Sequence, residues 1–167
     1  AVELVDHPLE RAARHAVDHL TALGHRRIAL VTSKGVIHTN RMRLAGYRRS
    51  LAAAGLALDD ELVRMSDYTR EGAIRETLAV LRIEDPATAV FTTDNLMTLG
   101  AFEGIQRAGC RIPEDVSLVG FDDIPEAQTT NPPLSTVRQH SDKLGETATR
   151  LLIAQIAGQP AAPSVDY

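Results

Sequence analysis

Short apolar segments alternate with longer amphipathic segments along almost the whole chain. Four apolar segments lie at residues 28–32, 62–66, 89–92 and 116–121. Between them, apolar residues recur at the spacing of helices that bury one face. Short strands joined by helices pair in parallel, because each crossover helix returns the chain to the same end of the sheet. The pattern therefore predicts an α/β fold in which a parallel sheet is flanked by helices.

Polar residues and glycines bracket the amphipathic segments and predict where helices begin and end. A side-chain oxygen at a helix start can accept a backbone N–H, and glycine readily adopts the left-handed conformation that follows a helix. We expect helices to begin at Thr39 or Asn40, at Thr69, and at Asp94 or Asn95.

Two further helices are predicted by the same spacing, over residues 9–23 and 142–157. The first is followed by Gly24 and the second by Gly158, which suits the end of a helix. The helix after Asp94 should turn one apolar side to the sheet. The residues expected on that side are Leu96, Leu99, Phe102 and Ile105.

Composition limits what a chain of this kind can bind and where it can function. The 167 residues are 44% hydrophobic and carry a net charge of −4, which argues against a nucleic-acid-binding face of their own. The single cysteine, Cys110, fits a reducing compartment. Residues 1–25 are charged and amphipathic rather than a secretory signal, and no apolar run is long enough to span a bilayer. These features favour a cytoplasmic location and no membrane contact.

Polar side chains follow each predicted strand at its carboxyl end. Ligands of open parallel sheets bind beyond those ends, so we expect these side chains to converge on one edge. The residues expected there are Thr39, Arg43, Asp67, Tyr68, Thr93, Asp94, Asn95, Asp122 and Asp123.

The residue types at that edge suit a ligand that carries several hydroxyl groups. A carboxylate such as Asp122 accepts from two neighbouring hydroxyls, and the guanidinium of Arg43 donates in a rigid planar fork. The ring of Tyr68 can cover the apolar face of a sugar. Simpler interpretations exist for three of the edge residues. Arg43 can lie on a helix surface, and Asp94 and Asn95 can be helix caps only.

Signs of an enzyme or a metal site are weak. His15 and His19 are four residues apart, but no third ligand lies nearby in sequence. Asp122 and Asp123 are adjacent in an extended segment and should point to opposite faces, which disfavours a joint catalytic role. No glycine-rich phosphate loop and no Gly-x-Ser-x-Gly elbow is present. We therefore expect no enzyme activity, no metal and no cofactor.

Five stretches in register resemble the LacI/GalR family of bacterial transcriptional regulators. The stretch Ile-Pro-Glu-Asp-Val-Ser-Leu-Val-Gly-Phe-Asp-Asp-Ile-Pro at residues 112–125 is the most distinctive. The others are His-Leu-Thr-Ala-Leu-Gly-His-Arg-Arg-Ile-Ala at 19–29, Arg-Leu-Ala-Gly-Tyr at 43–47, Thr-Asp-Asn-Leu-Met-Thr-Leu-Gly-Ala at 93–101 and Pro-Pro-Leu-Ser-Thr-Val at 132–137.

The resemblance implies a periplasmic-binding-protein-like fold of two subdomains without the DNA-binding helix-turn-helix headpiece. By that comparison, residues 31–122 form the second subdomain. Residues 1–30 and 123–158 are elements that belong to the first subdomain, and residues 159–167 are a tail. Operator DNA would then be bound only through a headpiece outside this sequence.

The family's effector contacts map onto Arg43, Asp122, Thr39, Tyr68 and the pair Asp94 and Asn95. Purine-sensing relatives carry an arginine where this chain has Ile37, so the resemblance implies a sugar-like effector. It also implies a homodimer, with residues 94–108 and 123–128 as candidate pairing surfaces. The alternatives are the solute-binding component of a sugar transporter, which shares the fold, and an enzyme on a flavodoxin-like sheet.

Overall fold

A computed structural model of the chain describes residues 8–34 and 38–159. It divides into two compact units, Ala1–Val137 and Arg138–Tyr167. The first unit contains a five-stranded sheet with strand order β2-β1-β3-β4-β5, in which every neighbouring pair is parallel. The strands are β1 (Ile28–Ser33), β2 (Val63–Ser66), β3 (Ala89–Thr92), β4 (Ser117–Phe121) and β5 (Ser135–Val137). The predicted α/β class is confirmed.

The helices follow the order expected of crossover connections. Those of the first unit are α1 (Pro8–Ala22), α2 (His38–Ala53), α3 (Arg70–Val80), α4 (Asn95–Arg107) and the short α5 (Pro125–Thr129), with a 3₁₀ turn at Asp60–Leu62. The second unit contains α6 (Ser141–Ile156), whose exposed apolar side chains include Leu152 and Ile156. Within the described residues, no helix is both long and apolar enough to cross a membrane.

Alternate side chains of the strands pack into two separate cores. Ile28 and Leu30 of β1 join the core beneath α1 and α2, whereas Ala29 and Val31 join the core beneath α3 and α4. Successive strand residues point to opposite faces, so an apolar strand without polar alternation indicates a sheet covered on both sides. All six residues of β1 are buried, as this arrangement requires.

The helices α1 and α2 approach closely because Gly46 lacks a side chain. A Cβ on Gly46 would lie 2.3 Å from the carbonyl oxygen of Glu10 and 2.9 Å from the Cβ of Ala13. Glu10 is nearly buried beside this contact and pairs with Arg49 at 2.7 Å. The tight crossing holds α2 in place, and α2 carries one of the predicted site residues at its second turn.

The helix α1 packs against the sheet of the first unit. Ala13, Ala16, Val17 and Leu20 of α1 are buried in the same core as Ile28, and α1 belongs to the unit that contains residues 31–122. Residues 123–137 supply α5 and β5 to this unit. The apolar stripe of α1 needs a partner, and the sheet face beside α2 provides one.

The inner side of α4 also differs from the prediction. Met97, Ala101, Gly104 and Ile105 are buried, while Leu96 is 37% exposed. Small residues face inwards because α3 packs tightly there, and a Cβ on Gly100 would lie 2.5 Å from the Cβ of Ala73. Only Ile105 of the four residues expected on this side is fully buried.

The predicted helix boundaries are mostly confirmed. Thr69 and Asp94 cap α3 and α4 through their side-chain oxygens, and Gly24 and Gly158 have positive φ angles after α1 and α6. The start of α2 is earlier than expected, at His38, so Thr39 and Asn40 lie inside its first turn.

Candidate functional site

The carboxyl ends of the five parallel strands lie at one edge of the sheet, and the residues that follow them form the candidate site. Parallel pairing requires this, because all strands run in the same direction. Beyond β2 the chain continues through Tyr68, beyond β3 through Asp94, and beyond β4 through Asp122. The first turns of α2 bring Arg43 to the same region.

Arg43 is the centre of the site. Its side chain is on α2 and only 6% of the residue is exposed, yet one guanidinium nitrogen donates to the carbonyl of Thr93 at 2.5 Å. The guanidinium carbon lies 3.9 Å from the centre of the Phe121 ring, within the range of a cation–π contact. Its Nε is buried and has no hydrogen-bond partner among the described residues. Burial lowers the pKa of Arg43, and the charges of Asp122 and Asp94 act in the opposite direction.

The two carboxylate oxygens of Asp94 differ in their hydrogen bonding. Oδ1 accepts from the backbone N–H of Met97 at 3.0 Å and caps α4. Oδ2 is buried and accepts no hydrogen bond within residues 8–34 and 38–159. Burial raises the pKa of Asp94, although Arg43 and the cap favour the charged form. A buried acceptor without a donor is costly, so Asp94 is suited to a ligand that donates a hydrogen bond.

Tyr68 and Asp122 share an unusual backbone conformation. Their φ angles are 64° and 73°, in the left-handed region that side chains other than glycine rarely adopt. Such residues cost free energy and concentrate at functional sites. Tyr68 is 48% exposed, and the charge of Asp94 is the largest cause of its raised pKa.

The structure brings Arg43, Asp94, Asp122 and Tyr68 into electrostatic contact, since each of the two acids acts on both Arg43 and Tyr68. Thr39 is half-buried one helical turn before Arg43, on the same side of α2. Asn95 is exposed at the start of α4, where its side-chain oxygen accepts from the N–H of Leu96 at 2.8 Å.

The neighbouring acids Asp122 and Asp123 are in different environments. Asp122 is half-buried, whereas Asp123 is exposed and accepts from the side-chain amide of Gln128 at 3.2 Å. Within the part of the chain that the structure describes, no group of three or more acid, histidine or cysteine side chains could hold a metal ion. The arrangement is suited to binding a polar molecule by hydrogen bonds.

Two residues important to this geometry were not singled out from the sequence. Phe121 supports the guanidinium of Arg43, and Thr98 donates to the carbonyl of Asp94. An aromatic residue immediately before Asp122 was a signal for the first. No local pattern indicates the second, because its contact with Phe121 depends on how closely α4 packs against β4.

Two grooves in the first unit lie away from this edge. One, of about 290 Å³, is lined by residues that include Phe102 and Cys110. The other, of about 270 Å³, is lined by residues that include Leu20 and Pro133. Neither contains a residue of the candidate site, and both lack the buried charges found there.

Comparison with known proteins identifies the family. Residues 17–166 match the periplasmic binding protein-like domain. The chain is 35% identical over 150 residues to the HTH-type transcriptional regulator CelR of Thermobifida fusca, covering 90% of this chain and 44% of that protein.

Solved structures agree with this assignment. A regulatory protein of the LacI family from Chloroflexus aggregans has a TM-score of 0.86 at 32% identity, over 91% of this chain and 55% of that one. A complex of the transcriptional regulator CelR with cellobiose has a TM-score of 0.87 at 34% identity, over 94% and 48%. The chain thus spans about half the length of these relatives. It belongs to the family of periplasmic binding protein-like domains, in the form carried by LacI-family transcriptional regulators.

Proposed function

We propose that this chain is the effector-binding domain of a LacI-type regulator, and that a small hydroxylated molecule binds at the carboxyl edge of the sheet. The observation that carries the proposal is the buried guanidinium of Arg43, stacked on Phe121 and close to two carboxylates. Asp94 and Asp122 supply acceptors for hydroxyl groups, and Arg43 supplies donors. A sugar or sugar derivative offers both kinds of partner.

The relatives support a sensor rather than a transport component or an enzyme. The matched proteins are transcriptional regulators, and one was solved with cellobiose bound. Cellobiose carries several neighbouring hydroxyls, which is the chemistry that the acids of this site suit. We infer the class of ligand from this agreement.

We propose that the complete regulator binds DNA through a region outside these 167 residues. The chain has a net charge of −4, whereas an operator-binding face needs a concentration of basic residues. We propose that effector binding changes the relative populations of two arrangements of the complete cytoplasmic regulator and so changes its affinity for operator DNA. Residues 31–122 are proposed to form one wall of the binding cleft in the complete regulator.

The complete regulator is proposed to act as a homodimer. The candidate pairing surface combines residues 94–108, where Leu96 is 37% exposed, with residues 123–128. Sedimentation of the complete gene product tests this, and a monomer at micromolar concentration would contradict it.

The effector site is tested by calorimetric titration of the complete gene product with cellobiose and with a panel of other mono- and disaccharides. Arg43→Lys and Asp122→Asn should each weaken binding of the active sugar at least about tenfold, because a lysine cannot reproduce the planar fork and an amide halves the acceptor capacity. Arg48→Ala, an exposed change on the same helix, is the matched control. Unchanged affinity in both site variants, or no saccharide binding at all, would reject the proposal.

A further inference from the structure

Thr98 lies at the point where three parts of the candidate site meet. The residue is fully buried in the second turn of α4. Its hydroxyl donates to the backbone carbonyl of Asp94 at 2.7 Å and lies 2.8 Å from the hydroxyl of Thr92 at the end of β3. It also accepts from the backbone N–H of Phe121 at 3.3 Å. One hydroxyl thus contacts β3, α4 and β4.

The hydroxyl of Thr98 supplies a hydrogen-bond partner for the backbone N–H of Phe121, beyond the point where the ladder between β3 and β4 ends. The ladder between β3 and β4 ends at the pair Phe91 and Val119. The N–H of Phe121 lies beyond it, and a buried N–H without a partner would be unfavourable. Because the next residue is Asp122, the hydroxyl of Thr98 fixes the backbone that presents this carboxylate.

Thr98 packs directly against Gly120 of β4. A Cβ on Gly120 would lie 2.4 Å from the methyl carbon and 2.7 Å from the hydroxyl oxygen of Thr98. The glycine therefore allows α4 to approach β4 closely enough for the hydrogen bond to Phe121. A glycine in the middle of a buried strand often marks such a close approach.

We propose that Thr98 is a positioning residue of the effector site, whose hydroxyl fixes Asp94 relative to Asp122. The inference rests on the proposed function, because it assigns Thr98 a role in holding two acids that act on one ligand. Thr98 itself is buried beneath the site and does not touch the ligand. Its effect is transmitted through the backbone at Asp94 and at Phe121.

The test measures the electrostatic interaction between the two acids and needs no ligand. The charge of Asp122 raises the pKa of Asp94, so Asp122→Asn should lower that pKa in a carbon-13 NMR titration of the side-chain carboxyls. In a Thr98→Val background, which keeps the shape but removes the hydroxyl, the same change should lower it by less than half as much. Thr98→Ser, which keeps the hydroxyl, should restore the full decrease.

Thr77→Val is the matched control. Thr77 is a buried threonine of α3 whose hydroxyl has no hydrogen-bond partner among the described residues, so the full decrease should persist. The proposal would be overturned if Asp122→Asn lowered the pKa of Asp94 equally in the parent protein and in the Thr98→Val background. It would also be overturned if the decrease in the Thr98→Ser background were as small as in Thr98→Val. If Thr98→Val does not give a folded spectrum, Thr98→Ala is titrated instead, with the same two outcomes.

The two proposals fail separately. If Arg43→Lys and Asp122→Asn leave saccharide affinity unchanged while the interaction between the acids depends on Thr98, only the proposed function is wrong. If those variants lose affinity while the interaction is indifferent to Thr98, only the positioning role is wrong.

Discussion

The guanidinium of Arg43 lies against the ring of Phe121, with its central carbon 3.9 Å from the ring centre. The two side chains come from α2 and β4, which are separated by two crossover connections. A buried cation is stable only where its charge and its N–H groups are compensated. The ring, the Thr93 carbonyl and the nearby acids compensate the charge and one N–H group, while the buried Nε has no partner among the described residues.

Replacing Phe121 by leucine should lower the free energy of unfolding by about 2 kcal/mol, because the buried guanidinium loses its aromatic support. Phe91→Leu is the control, since Phe91 packs against Phe121 with ring centres 6.4 Å apart and is equally buried. Urea denaturation measures stability, and the NMR shift of the Arg43 Nε–H should change only in Phe121→Leu. Identical Arg43 spectra in the two variants would contradict the cation–π interpretation.

Asp94→Asn should increase stability at neutral pH, because asparagine keeps the helix cap and removes a buried charge. The pKa of Asp94 is raised in the folded state, so its ionised form disfavours folding above that pKa. The gain should therefore disappear as the pH falls and Asp94 becomes protonated. Urea midpoints across a pH series measure this.

Asp67→Asn should change stability in the opposite direction to Asp94→Asn. The hydroxyl of Thr69 is the main cause of the lowered pKa of Asp67, so its ionised form favours folding. This substitution should reduce stability near neutral pH, with an effect that vanishes in acid. Two pH profiles of the same sign would show that the environment of one of these acids has been misassigned.

Tyr68→Gly should separate stability from binding. Glycine adopts a φ of 64° without the strain of about 1 kcal/mol that a side chain experiences, which offsets its greater entropy in the unfolded chain. We expect an unchanged or higher urea midpoint together with weaker saccharide binding by calorimetry. Tyr68→Phe keeps the ring and should retain most of the affinity. If Tyr68→Gly binds the saccharide as tightly as the parent protein, the ring of Tyr68 does not contribute to the site.

Gly46→Ala should destabilise the protein by roughly 1 to 3 kcal/mol, because the new methyl group overlaps the backbone of α1. The distance of 2.3 Å to the Glu10 carbonyl leaves no room without moving a helix. Gly145→Ala in α6 meets no atom within 4 Å and should be neutral or slightly stabilising. Calorimetric melting temperatures compare the two. A stable Gly46→Ala protein would show that α1 and α2 can separate freely.

Thr77→Val should stabilise the protein by about 1 kcal/mol, since it replaces a buried hydroxyl that lacks a partner with a methyl group of similar size. Thr98→Val removes a hydroxyl that has several partners and should have the opposite sign. Denaturant titrations under the same conditions measure both. If both variants are destabilised equally, the hydroxyl of Thr77 has a partner in solution.

Local sequence signals predicted the order and type of the elements well. Thr69 and Asp94 were identified as helix caps because the chemistry of a cap involves only a few consecutive residues. Packing preferences between elements were harder to predict. The packing of α1 against the sheet beside α2 was not predicted, because an apolar stripe shows that a helix needs a partner without showing which surface provides it.

The candidate site illustrates the same limit. Arg43, Asp94, Asp122 and Tyr68 could be placed at one edge because parallel strands end together. The support of Arg43 by Phe121, and the contacts of Thr98, depend on how far α2 and α4 lie from β4. That distance is set by glycines such as Gly120, whose role becomes visible only when the facing atoms are known.

The strand order β2-β1-β3-β4-β5 also has a consequence for synthesis on the ribosome. Arg43 emerges early, but the ring that stacks on it is translated only at the end of β4, after β2 and β3, and the acid follows it. The proposed effector site is therefore incomplete until β4 has left the exit tunnel and taken its place in the sheet. A sugar bound at the proposed site would therefore stabilise the finished domain, and it would not guide the earlier steps of folding.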